Sequence, residues 1–316
     1  MSAKPALVLG VGAAPSVAAR APGPRAVPPS GRANAQSVHD LGRAAVAALH
    51  DELTLAPKPG LVTPFSTGSH RDMDVRTFMR SISALRRYFV VIARLGADGA
   101  PFSALERAGI EAEARMCCAT GGVNTHRGAI FLLGLLSAAA GAVVGSGQAP
   151  TPARIRATLM DRWGDALRAR ANRPSTLPGG IAARRLGLRS ASEEAALGFP
   201  VLFETGVPAM RSALERGLSR ERAQLDTLIH LMAVLDDSNL AHRGGLDGLR
   251  FVQRAALGFI EAGGASRLDA KRRTEALATE LESRWLSPGG SADMLAAVCW
   301  MVRIGALNAD ASTSPS

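Results

Sequence analysis

The chain has 316 residues, 47% of them hydrophobic and only 4% aromatic, with a formal charge of +10. That length and apolar content build a sizeable core, and plentiful Ala, Leu and Arg with few aromatics favour helix over sheet. No basic stripe interleaved with aromatics and no zinc-finger spacing points to nucleic acid, and no run of about 18 uninterrupted apolar residues points to a membrane span.

Four of the cations (Lys4, Arg20, Arg25, Arg32) lie in the first 36 residues, which hold no acid, so the remainder carries +6. That surplus suits a polyanionic small molecule such as a nucleotide, and it equally suits an ordinary solvated surface. Cys117, Cys118 and Cys299 are an odd set with an adjacent pair, which reads as reduced thiols in a cytoplasmic protein.

Residues 1–36, rich in Ala, Pro, Gly and Arg, read as a disordered tail. The apolar run at 7–12 is too short for a signal core, and Gly10-x-Gly12 lacks the third glycine and the helix of a dinucleotide loop. From Ser37 the positions Val38, Leu41, Ala45, Ala48, Leu49 and Leu53 repeat at helical spacing and end at Ala56-Pro57-Lys58-Pro59-Gly60. Asp74 is placed to cap a helix with an apolar face of Val75, Phe78, Met79, Ile82, Leu85, Phe89 and Ile92. Ser103 and Glu106 have capping-box spacing for a helix running to Cys118.

The loop at 119–128 runs into an all-apolar segment at 129–136. That segment is too short to cross a bilayer and is expected to be the central buried helix of a bundle. Thr151-Pro152 opens a helix to about Arg170, and 172–187 reads as a looser basic stretch. Helices follow around Glu193-Glu194, at 208–216, at 219–235, at 246–262 and at 268–284, with a last one after Asp293. No strand period persists and no repeat recurs. The expectation is an all-α multihelix bundle: one catalytic domain over 37–308, then a flexible tail at 309–316.

Polar loops at 69–74, 120–128, 236–245 and 287–293 each sit at a helix end and carry acids, amides or His beside glycine. Bundles build sites where such ends converge. Gly121 and Gly122 free the backbone for positive φ or for an anion's approach, although a helix-connecting turn explains them as well. Asp72, Asp74, Asp236, Asp237 and Asp293 are hard oxygen donors of the kind that hold Mg²⁺ with substrate phosphates, or else caps and solvated charges. The pair Asp236-Asp237 reads as lying at a helix C-terminus, where the macrodipole opposes negative charge and a compensating cation is expected. Lys58, Arg71, Arg127 and Arg243 can neutralise phosphates. His126 and His242 each precede Arg-Gly.

The loops Leu55-Ala56-Pro57-Lys58-Pro59-Gly60, Gly68-Ser69-His70-Arg71-Asp72-Met73-Asp74, Thr120-Gly121-Gly122-Val123-Asn124-Thr125-His126-Arg127-Gly128, Asp237-Ser238-Asn239 with His242-Arg243-Gly244-Gly245, and Ser287-Pro288-Gly289-Gly290-Ser291-Ala292-Asp293 resemble, in order, the motifs of the triphosphoribosyl-dephospho-coenzyme A synthases. The likeness runs from about His39 to Ala306. It departs at Ser238, where the pattern has Thr, and the hydroxyl is kept. Of the family's two branches, the chain looks more like the one serving malonate decarboxylase than the one serving citrate lyase.

The resemblance implies that the ribose 2′-hydroxyl of 3′-dephospho-coenzyme A attacks C1′ of ATP, adenine leaves, and the product goes to a holo-acyl-carrier-protein synthase. Such glycosyl transfer passes through an oxocarbenium-like state and needs an acid, a base and a dry site. On this reading His126, Glu113 and Asp237 are catalytic candidates. Lys58, Ser69, His70, Arg71, Gly121, Gly122, Asn124, Thr125, Arg127, Asn239, His242, Arg243, Gly289, Gly290 and Ser291 are substrate-binding candidates, and Asp72, Asp74, Asp236 and Asp237 hold Mg²⁺. Neither a membrane nor nucleic acid is expected as a partner, and the oligomeric state is left open. A rival by site chemistry is an Mg²⁺-dependent ADP-ribosyl hydrolase, with water as acceptor. A second is a non-catalytic helical module that binds coenzyme A or a carrier protein.

Overall fold

The structure, a computed structural model, describes residues 31–309. The expected tails at 1–36 and 309–316 fall almost wholly outside those residues. Every regular element among the described residues is helical, as composition and periodicity predict.

The first helix, α1 (Gly31–Thr54), opens ahead of Ser37 and buries Leu41, Ala45, Ala48, Leu49 and Leu53 on one face. Asp74 caps α2 (Val75–Leu85), accepting from the Thr77 backbone N–H and hydroxyl at 2.8 Å each. The periodic stretch expected to form one helix is interrupted at Arg86-Arg87, and α3 (Tyr88–Ala97) follows. α3 lies against α5 (Arg127–Gly145), where a Cβ on Gly96 would stand 1.9 Å from the Ala138 carbonyl oxygen and one on Gly141 2.0 Å from that of Ala93. Tyr88 donates to the Ile130 carbonyl at 2.8 Å across the same contact. Met79, expected on the buried face, is exposed.

α4 (Phe102–Thr120) starts after Pro101, so Ser103 is inside the helix and caps nothing. The Glu106 carboxylate goes instead to the Arg170 guanidinium. α5 corrects another expectation. Its apolar run extends past Leu136 to Val144, so by length and composition it could cross a membrane, at a mean hydropathy of 2.1. Yet 78% of that window is buried inside the protein, and α3, α4, α6 and α13 pack around it. It is the central core helix.

Thr151 caps α6 (Pro152–Ala171), accepting from the Arg154 N–H, with proline in the first turn. The basic stretch read as loose contains α7 (Pro178–Leu186). α8 (Ala191–Ala196) carries a full capping box of Ser190 and Glu193. A π-helical turn (Leu202–Gly206) leads into α9 (Val207–Glu215), and Ser219 caps α10 (Arg220–Val234). α11 (Ser238–Glu261) begins well before the expected 246 and kinks at Gly245, whose φ is 63°. α12 (Ala270–Ser283), α13 (Gly289–Arg303) and α14 (Ala306–Ala309) complete the fold. Trp300 of α13 donates to the Leu41 carbonyl of α1 at 3.0 Å, which ties the last long helix to the first.

Candidate active site

The N-terminal turns of α5, α8, α11 and α13 meet around one cavity. Its walls are apolar at Phe131, Leu132, Phe199, Val234, Leu235 and Met294, and carboxylates from Glu194, Asp236, Asp237 and Asp293 are set into them.

Asp237 is 1% exposed. One oxygen accepts from the Asn239 and Leu240 N–H groups at 3.0 and 3.4 Å, and the other from the Ser291 N–H and hydroxyl at 2.9 and 3.1 Å. It caps α11 and pins α13 to it. The macrodipole argument from sequence is therefore overturned: the acid pair stands at the N-terminus of α11, where the dipole favours it. Burial raises the pKa of Asp237, and the donors oppose that rise. Asp236 is half-buried beside it and accepts from the Arg189 N–H at 3.1 Å.

Asp293 was legible only as one of five oxygen donors. It lies in the first turns of α13, and an Oδ2 atom stands 1.9 Å from where a Cβ on Gly128 would be, so the start of α5 needs glycine there. Burial first, and then the nearby charges of Glu52 and Asp237, push its carboxyl well above the usual carboxylate range, against a hydrogen bond from the Ala129 N–H. Glu52 was missed from sequence. It is 5% exposed, and Lys58, 2% exposed, donates to its carboxylate and to its carbonyl at 2.6 Å each. Burial lowers the Lys58 pKa and Glu52 counters that. Lys58 is thus an internal countercharge, not the phosphate contact expected.

His126 is 3% exposed. Thr125 donates to the Ser81 hydroxyl at 2.7 Å, which leaves the Ser81 proton for His126 Nδ1, also at 2.7 Å. The ring proton then sits on Nε2, which is buried with no hydrogen-bond partner among the described residues. Burial and the Lys58 charge lower the His126 pKa to about 3, so the ring is neutral at physiological pH. As a general acid or base near neutrality it is poorly matched, and it does not line the cavity.

A second group lines a separate pocket, joined to the cavity by the chain from Trp285 to Asp293 and called the rim here. Arg243 donates to the Ser69 carbonyl at 2.8 Å, to the Trp285 carbonyl at 3.2 Å and to His70 Nδ1 at 3.0 Å. A guanidinium can only donate, so His70 carries its proton on Nε2 and gives it to Ser287 Oγ at 2.9 Å. Burial and then Arg243 lower the His70 pKa to about 4. With the ring neutral, its 3.7 Å separation from Asp72 is no ion pair. The Ser69 hydroxyl donates to the Leu286 carbonyl at 2.6 Å.

The other sequence candidates scatter. Gly121 and Gly122 have positive φ, but both N–H groups go to the Cys117 carbonyl. They end α4, and neither glycine's amide is left for an anion. Asn124 accepts from the Arg127 N–H, and Arg127 is ion-paired with Glu113; neither Arg127 nor Glu113 lines the cavity. His242 is exposed. Gly289 lies against the Asn239 side chain and Gly290 against Asp237. The four expected metal ligands do not gather. Asp72 is on the rim and Asp74 caps α2, and among the described residues no three His, Cys, Asp or Glu side chains form a group that could hold a metal. Besides Glu52, sequence reasoning missed Ser81, Arg189, Glu194 and Trp285.

Residues 38–312 match the CitG family, described as ATP:dephospho-CoA triphosphoribosyl transferase. A protein of Azotobacter vinelandii named "Probable 2-(5''-triphosphoribosyl)-3'-dephosphocoenzyme-A synthase" is 40% identical over 265 residues, covering 82% of this chain and 89% of the relative. Proteins of the same name from Vibrio cholerae and Stutzerimonas stutzeri are each 38% identical, covering 83% and 84% of this chain and 87% and 91% of the relatives. No solved structure matches. The chain belongs to the ATP:dephospho-CoA triphosphoribosyl transferase family.

Proposed function

We propose that the cavity between α5, α11 and α13 holds the adenosine end of ATP and that Asp293 is the proton donor to the departing adenine. The single observation supporting this is the Asp293 carboxyl, set in the cavity wall where burial and two neighbouring negative charges raise its pKa well above the usual carboxylate range. The acceptor's 2′-hydroxyl oxygen bonds to C1′ while the C1′–N9 bond breaks. The electron pair leaves on adenine, which takes the Asp293 proton. The hydroxyl proton passes to Asp236 on the same wall, and solvent exchange after product release restores both carboxyls. Positive charge developing on the ribose faces Asp237 on the cavity wall, and preorganised charge of this kind is the usual main source of rate. Arg189 is the cation on the cavity wall that meets the triphosphate as it leads out.

The expected Mg²⁺ site does not fit the residues present. Asp237 has its oxygens filled by four donors, and Asp72 and Asp74 lie elsewhere. We infer Mg²⁺ only as the counter-ion of ATP, and no step here runs through it. The motif likeness supports a product destined for the malonate decarboxylase carrier by way of a holo-carrier-protein synthase, and the free cysteines support a cytoplasmic setting.

Incubation with ATP, Mg²⁺ and 3′-dephospho-coenzyme A, followed by chromatography with mass detection, tests the reading. Adenine is expected only when the acceptor is present, together with the adduct mass. Equal adenine release without acceptor would make the protein a hydrolase and refute transfer.

A further inference from the structure

Trp285 is the one tryptophan of three with an exposed ring: it is 44% exposed, whereas Trp163 and Trp300 are 3% and 0% exposed. Its φ is 57°, a left-handed conformation that is unusual and strained for a bulky residue. The core gains little from an indole held this way, since much of the ring faces solvent. Arg71 lies over the ring at 4.2 Å. Among the described residues neither Arg71 nor Arg243 has a carboxylate within ion-pair distance, and the nearest acid is the exposed Asp72. Two guanidiniums without carboxylates thus meet at Trp285, Arg71 over its ring and Arg243 on its backbone carbonyl.

The chain from Trp285 to Asp293 walls both this rim and the cavity. Trp285 lines the rim, Ser287 takes the His70 proton, and Gly290 and Asp293 line the cavity. We propose that the rim is the acceptor subsite: the indole of Trp285 stacks the adenine of 3′-dephospho-coenzyme A, and Arg71 and Arg243 take its diphosphate. The assignment rests on the transferase reading. It follows from where the reacting atom lies. The nucleophilic 2′-hydroxyl is one ribose away from the acceptor's base, so that base must sit at the edge of the catalytic cavity, with the diphosphate and the long arm outside. ATP's adenine belongs elsewhere, because a departing purine needs a proton donor. The rim supplies none: the His70 Nε2–H is spent on Ser287, and Asp72 is open to solvent.

Intrinsic fluorescence isolates the event, because the other two indoles are buried. Titration with 3′-dephospho-coenzyme A is expected to quench emission to saturation, and the quench should vanish in Trp285→Phe when the difference is taken against its own baseline. Trp285→Ala should raise KM for 3′-dephospho-coenzyme A about 10- to 100-fold, the usual worth of one stacked base, with kcat and KM for ATP within about twofold. Arg71→Ala, which removes no hydrogen bond of the fold, should raise the same KM and weaken its salt dependence. Quenching by ATP with none by 3′-dephospho-coenzyme A, or an unchanged acceptor KM in Trp285→Ala, would overturn the assignment. An enzyme that releases adenine on schedule but shows no quench sinks the subsite alone. Quenching without adenine release leaves the subsite standing and sinks the transferase reading.

Discussion

Asp293→Asn is expected to lower kcat by about 10²- to 10⁴-fold, the range for loss of a positioned acid, with KM for both substrates little changed. Asparagine keeps the size of the side chain and can still accept from the Ala129 N–H, so the helical fold should persist. What it loses is the transferable proton. The pH profile identifies that loss. A carboxyl whose pKa is raised is protonated, and active as an acid, below that pKa. Activity of the native enzyme should therefore fall as pH rises through it, and the Asn variant should lack that basic limb. His126, with its pKa lowered to about 3, stays neutral across the working range and adds no acidic limb above about pH 4. An Asn variant with a native pH profile would return Asp293 to a purely structural part.

Lys58→Met should destabilise the protein by about 3–5 kcal/mol, because it strands the buried Glu52 charge. Denaturant unfolding monitored by helix signal would measure it. The double variant Glu52→Leu/Lys58→Met should recover most of that loss, since an apolar replacement of a buried pair is often close to neutral. Activity should not recover with it. Glu52 is one of the two charges that raise the Asp293 pKa, so the double variant separates the fold's need for the pair from the reaction's need for the negative charge. Full turnover in the double variant would show that Glu52 has no part in the chemistry.

The fold was largely legible. Long periodic faces gave α1, α6 and α10, and Asp74 and Thr151 cap as their spacing suggests. What failed was the assignment of individual groups, and for identifiable reasons. A positive-φ glycine pair looks the same in an anion cradle and in a helix C-cap; only the partner of its N–H groups, here the Cys117 carbonyl, separates them. Asp236-Asp237 was placed at the end of α10 because the first turns of α11, Ser238 to Gly244, carry little apolar periodicity to announce a helix. Glu52 sits on a mostly ordinary amphipathic helix, and only the return of the chain at Lys58 buries it. The metal set failed because acids in different loops share a polarity, not a position: tertiary packing sends Asp72 to the rim and Asp74 to a cap. Trp285 carried no sequence signal at all, since its exposure and its backbone conformation exist only in the folded chain.

The most direct test of the account is to locate the donor's base. Photolabelling with 8-azido-ATP in the presence of Mg²⁺, followed by peptide mass mapping, reports which walls touch the adenine. Labels on Phe131, Leu132 or Met294, protected by excess ATP, are the predicted result and put the breaking glycosidic bond within reach of Asp293. Labels confined to Trp285 and its neighbours would place ATP on the rim, exchange the two subsites and contradict the central claim.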